Sequence, residues 1–165
     1  EYFEMIKNKT AVLIGCSFMF GGIVAEANVL NTDLLYKIGL NLGVAFQLED
    51  DLLDCFGDQE KFGKKIGGDI IEKKKTLLYL FTNSKLEQKK KIEFENIFNS
   101  SDIIESEKIN SIKLFYENSG ALKYVKNKVK VYFDKAEQLI NKLELDIDTK
   151  RKLNQFSKTL LNREI

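Results

Sequence analysis

An all-α fold follows from three observations: the 165 residues contain no proline, alternating β-branched runs are scarce, and apolar residues recur at three- and four-residue steps almost throughout. One domain fits this length, which suffices to bury roughly 68–70% of the surface an unfolded chain exposes. An apolar content of 44% can fill its core.

The sequence opens inside a helical pattern, with Tyr2, Phe3, Met5 and Ile6 already periodic, so a preceding segment is expected upstream of Glu1. The run Thr10 to Ala25 carries no charge; its 16 residues fall short of the roughly 18–20 a membrane span needs. It contains Gly15, Gly21 and Gly22 and lacks the features of a signal peptide, so it reads as a buried core helix with no transmembrane span. From Thr32 to Phe56, Leu34, Leu35, Ile38, Leu42, Ala45, Leu48 and Leu52 surround the helix axis on all sides, which places that helix in the middle of a helical protein. Gly57 to Gly68, with four glycines, reads as the main loop, and residues 69–75 continue it as a polar, lysine-rich stretch. Shorter amphipathic segments are predicted near 76–83, 86–98 and 102–118. Over 121–143, Leu122, Val125, Val129, Tyr132, Ala136, Leu139 and Leu143 step by 3 and 4 and define one buried face. A last helix is predicted over 148–163 with Asp148 as N-cap.

Composition removes several chemistries. Without histidine there is no Ser-His-Asp or Cys-His nucleophile, no His-bearing zinc site and no imidazole proton shuttle. A net charge of +1 provides no global basic field, so nucleic acid is not an implied partner. Cys16 and Cys55 are isolated in apolar stretches and read as reduced, buried thiols of a cytoplasmic protein.

The informative feature is Phe46-Gln47-Leu48-Glu49-Asp50-Asp51-Leu52-Leu53-Asp54, a run of carboxylates within that apolar helix. Asp50 and Asp54 are four apart and Asp51 and Asp54 three apart, spacings that bring helical side chains to one side, with Gln47 one turn earlier. Two carboxylates about 6 Å apart repel by roughly 3 kcal/mol at an effective dielectric near 20, before desolvation is counted. A hard cation reverses that sign: Mg²⁺ takes one or two carboxylates, completing its shell with water and substrate phosphates. The alternative is a solvated acidic patch near the helix end, although carboxylates there oppose the helix dipole.

Downstream, Lys64 and Lys65 precede Gly67-Gly68, and Lys73, Lys74 and Lys75 precede Thr76. Glycines let backbone approach an anion and lysines neutralise it; alone, such a segment reads as a wet lysine-rich turn, and it becomes a candidate anion site because it follows the aspartate helix. Lys9-Thr10 is a third candidate, at the mouth of the uncharged helix, or else an exposed lysine beside a capping threonine.

Together these residues resemble the C-terminal half of the trans-polyprenyl diphosphate synthases, the farnesyl and geranylgeranyl diphosphate synthase family. Tyr2-Phe3-Glu4-Met5-Ile6 leading to Lys9-Thr10-Ala11 looks like its Y-x-x-M-I-x-x-K-T-A segment, and Gly43, Phe46, Gln47, Asp50, Asp51 and Asp54 are similar to its second aspartate-rich motif. Phe56-Gly57-Asp58, Gly63-Lys64-Lys65, Gly67-Gly68-Asp69, Lys74 and Thr76 continue in the family's order. The motifs cover residues 1–80; residues 81–165 match only in helical character.

The resemblance implies a helical isoprenoid-synthase-type bundle. It assigns Mg²⁺ to Asp50, Asp51 and Asp54, phosphate contacts to Lys9, Lys65 and Lys74 with Lys64 able to replace Lys65, and carbocation-facing oxygen dipoles to Thr10 and Gln47. The implied reaction condenses an allylic prenyl diphosphate with isopentenyl diphosphate into a longer trans-prenyl diphosphate, in a homodimer. The family's first aspartate-rich motif and the basic residues for isopentenyl diphosphate are absent from these residues. Residues 1–165 are therefore expected to be the C-terminal part of one synthase domain, inactive alone; the alternative is a non-catalytic regulatory or partner subunit of a prenyl synthase.

Overall fold

The computed structural model describes residues 1–58 and 66–161. In order the elements are α1 (Tyr2–Ile6), a π-helical turn (Lys7–Ala11), α2 (Val12–Val24), α3 (Val29–Phe56), α4 (Gly68–Ile71), α5 (Leu77–Lys85), α6 (Gln88–Asn99), α7 (Glu105–Asn118), α8 (Ala121–Lys142) and α9 (Ile147–Leu161). The described residues contain no strand, as the apolar periodicity predicts.

The chain divides into two compact units, Glu1–Glu49 with Lys128–Glu164, and Asp50–Asn127. In the first, small residues let α2 and the π turn press against α3. A Cβ on Gly39 would come within 2.7 Å of Gly15 Cα, and one on Gly43 within 2.5 Å of Ala11 Cα. Leu34, Ile38 and Leu42 of α3 pack on Ala136, Ile140 and Leu143, with Phe18, Phe133, Leu153 and Leu160 around them. Fully burying one such aliphatic side chain contributes roughly 1.5–3 kcal/mol. The second unit is built around rings: Tyr79 packs at a tilt against Phe98 at 4.4 Å and Phe94 at 5.2 Å between centroids, while Phe94 meets Phe115 and Tyr116.

Several sequence expectations need correction. The uncharged stretch Thr10 to Ala25 is helical but not a buried core helix, because Leu13, Phe20, Ile23 and Val24 are 53–84% exposed while Gly15 and Gly22 carry its packed face. Cys16 is accordingly only half-buried, whereas Cys55 is buried and burial pushes its thiol up to about 12. Asp148 does not cap α9: Asp146 does, its Oδ1 accepting the Thr149 N–H at 3.0 Å and its Oδ2 the Thr149 hydroxyl at 2.6 Å. Asp148 lies inside the helix and pairs with Arg151 and Lys152. The polar stretch 69–75 begins inside α4, which periodicity could not reveal in four residues. Among the described residues no helix is long and apolar enough to cross a membrane.

Candidate active site

In the first unit, Thr10 and Gln47 come together. The backbone widens into a π turn at Lys7–Ala11, and such turns frequently mark functional positions. Helix therefore continues from α1 through Lys9 and Thr10 into α2, which removes the reading of Thr10 as a helix cap. Gly43 sets the distance between the elements by lying on Ala11. Four residues further along α3, the Thr10 hydroxyl donates to Gln47 Oε1 at 2.7 Å. Both side chains are half-buried, so each fixes the other's dipole; Lys9 is exposed.

In the second unit the acids are not equivalent. Asp51 is 6% exposed, whereas Asp50 and Asp54 are half-buried. Burial holds the Tyr116 phenol well above the ordinary range, with the Asp69 and Asp51 charges among the smaller contributions that add to it. The glycine turn closes on Asp54: Gly67 N–H donates to Asp54 O at 2.6 Å and Asp69 N–H to Asp54 Oδ2 at 2.9 Å. A Cβ on Gly68 would stand 3.1 Å from Asp54 Oδ1, so that carboxylate would have to give by a few tenths of an ångström. Burial raises the Asp54 pKa above the usual carboxylate value. The Asp69 N–H opposes that rise, the Asp69 and Asp50 charges add to it, and Lys74 offsets it in part.

Lys74 joins this group through Asp69. Its ammonium lies 2.8 Å from Asp69 Oδ1 and 2.8 Å from Glu72 Oε2, and these bonds hold it well above the ordinary lysine value. The intervening backbone is a helix C-terminal motif. Lys73 N–H donates to Ile70 O and Lys74 N–H to Asp69 O, the paired bonds that end a helix on a left-handed residue. Here that residue is Lys73, at φ 56°, where a non-glycine residue costs about 1–2 kcal/mol.

Sequence reasoning paired neither Glu72 nor Asp69 with Lys74, because the partners meet through this turn and not through helical spacing. Lys64 and Lys65 lie outside the described residues. Among the described residues no three acidic or cysteine side chains gather closely enough to hold a metal ion unaided. The donors present, carboxylate oxygens on a half-buried helix end, are the type a hard divalent cation prefers. They fit a cation whose remaining ligands come from substrate.

This fold is that of the isoprenyl diphosphate synthases. The family model described as polyprenyl synthetase matches residues 1–115, and the chain belongs to that family. A geranylgeranyl diphosphate synthase of Sulfolobus acidocaldarius is 34% identical over 168 positions, covering 95% of this chain and 48% of that protein. A crystal structure of a geranylgeranyl pyrophosphate synthase superposes with a TM-score of 0.91 at 39% identity, over 99% of this chain and 51% of the other. A polyprenyl synthase from Caulobacter crescentus, complexed with calcium and isoprenyl diphosphate, matches with a TM-score of 0.88 at 30% identity, over 99% of this chain and 49% of that one. The chain spans about half the length of these relatives.

Proposed function

We propose that the protein carrying this chain is a polyprenyl diphosphate synthase. It condenses an allylic prenyl diphosphate with isopentenyl diphosphate and depends on Mg²⁺. The observation that carries this reading is the turn closed on Asp54, in which one residue, Asp69, fixes an acid of the aspartate-rich helix and a lysine of the basic segment together. A carboxylate beside a lysine already oriented by carboxylates is an arrangement for a cation and a polyanion arriving jointly.

Asp50, Asp51 and Asp54 would hold Mg²⁺, which when bound supplies positive charge to the departing diphosphate. Lys74 and Lys9, with Lys65 or Lys64, would contact its oxygens. The allylic C–O bond breaks with its electron pair leaving on diphosphate, and the isopentenyl alkene attacks the resulting carbocation. Loss of a proton then restores a double bond. The Thr10–Gln47 pair presents dipoles that need no reorganisation as positive charge develops. The same reading takes residues 1–165 as the C-terminal part of one synthase domain in a cytoplasmic homodimer, this chain being inactive by itself. A hard divalent cation and an isoprenyl diphosphate as ligands are supported by the Caulobacter crescentus relative, which was solved complexed with calcium and isoprenyl diphosphate.

The test is turnover of labelled isopentenyl diphosphate with geranyl or farnesyl diphosphate by the full protein. Wild type is expected to make a longer prenyl diphosphate only with Mg²⁺, and Asp50→Ala to slow it at least about a hundredfold. Unchanged turnover by Asp50→Ala would overturn the metal assignment.

A further inference from the structure

Lys73 is the residue the reaction scheme leaves unexplained. It occupies the left-handed position that ends α4, where glycine is the usual choice. Its side chain does not join Lys74 at Asp69. It runs the other way, its ammonium donating to Asn99 O at 2.7 Å and to Ser101 Oγ at 3.1 Å. Those acceptors lie at the C-terminal end of α6, where helix carbonyls lack partners and the dipole favours a cation. Next to them the buried Lys108 ammonium donates to Ser100 O at 2.9 Å, so two lysines grip three successive residues of this corner. Burial, with the Lys73 charge adding to it, lowers the Lys108 pKa.

We infer that Lys73 is a positioning residue for the diphosphate site: its side chain bolts the turn between Ile70 and Thr76 to the end of α6 and so fixes where Lys74 stands. The backbone path is short. Lys73 N–H and Lys74 N–H close the turn on Ile70 O and Asp69 O, and Thr76 N–H returns to Lys74 O at 2.9 Å. Lys74 follows the bolt directly, and its ammonium meets Asp69 only while this turn keeps its shape. Glycine at 73 would relieve the backbone but would remove the side-chain bonds that tie the turn to Asn99 and Ser101. The strained choice is explained if the ammonium anchor, not the turn conformation, is what the site needs. The inference rests on the reading that Lys74 contacts a diphosphate.

The experiment compares Lys73→Gly, Lys73→Arg and Lys74→Ala in the full protein, measuring calorimetric binding of inorganic pyrophosphate with Mg²⁺ and the thermal midpoint. Lys74→Ala is expected to weaken binding about tenfold or more. Lys73→Gly should weaken it about threefold to tenfold while its midpoint stays level or rises, and Lys73→Arg should restore binding. A structural role alone would make affinity follow the midpoint. Wild-type affinity in Lys73→Gly beside a weakened Lys74→Ala would overturn the positioning role and leave the diphosphate reading standing. Wild-type affinity in Lys74→Ala would overturn both.

Discussion

Gly43 lies on Ala11 so closely that an added Cβ would stand 2.5 Å from Ala11 Cα and 2.8 Å from its Cβ. This contact seats the π turn against α3 and, one helical turn later, brings the Thr10 hydroxyl to Gln47. The two polar side chains are thus aligned by a packing contact between two residues that have almost no side chain.

Gly43→Ala should therefore push the two elements apart. Overpacking of this kind costs about 1–3 kcal/mol, read as a lower urea midpoint at an unchanged slope. The accompanying loss of turnover should exceed what the remaining folded fraction explains.

Thr10 and Gln47 should behave as one unit. Thr10→Val and Gln47→Leu are each expected to lower kcat about a hundredfold with little change in KM. The double variant should lose far less than the product of the two, because the second change removes a group already misdirected. Full additivity in steady-state kinetics would argue that the two side chains act separately.

Much of this was legible in the residues. Helical periodicity placed the long apolar helix to within three residues at its start, because leucines on every side of an axis have few alternatives. The three aspartates on it stood out as a cost that packing does not select. The exposed face of α2 was misread, since an uncharged sequence does not reveal which of its sides finds a partner, and Leu13 and Val24 find none within this chain's own fold. The π turn had no signal in its own residues, and the contact of Gly43 with Ala11 beside it joins positions far apart in sequence. The Asp69–Lys74–Glu72 group was hidden for a similar reason, as it forms only after Lys73 takes a left-handed backbone.

The cap of α9 carries a pH dependence. Hydrogen bonds from the Thr149 hydroxyl and N–H hold Asp146 below its ordinary 3.8. A folded-state value below the unfolded one means the contribution is complete above about pH 5 and disappears as pH falls through the lowered value. Asp146→Ala should melt earlier than wild type at pH 7, and the difference should shrink as pH falls below the ordinary carboxylate value. An undiminished gap at the acid end would contradict the charged cap.

Gly67 stands at φ 83°, and a Cβ there would come within 2.7 Å of Ile109. Gly67→Ala should cost about 1–3 kcal/mol from strain and crowding, and a partial recovery in the double variant with Ile109→Ala would identify the crowded share. Thermal melts of the three variants check this.

The decisive observation is whether the acids of α3 take up a divalent cation jointly with diphosphate, since no closed cage exists among the described residues. Mn²⁺ titrated into the full protein and followed by electron paramagnetic resonance should bind weakly alone and tightly once inorganic pyrophosphate is present, with Asp50→Ala and Asp54→Ala abolishing that gain. Equal Mn²⁺ uptake with and without pyrophosphate, or a gain that survives both substitutions, would contradict it.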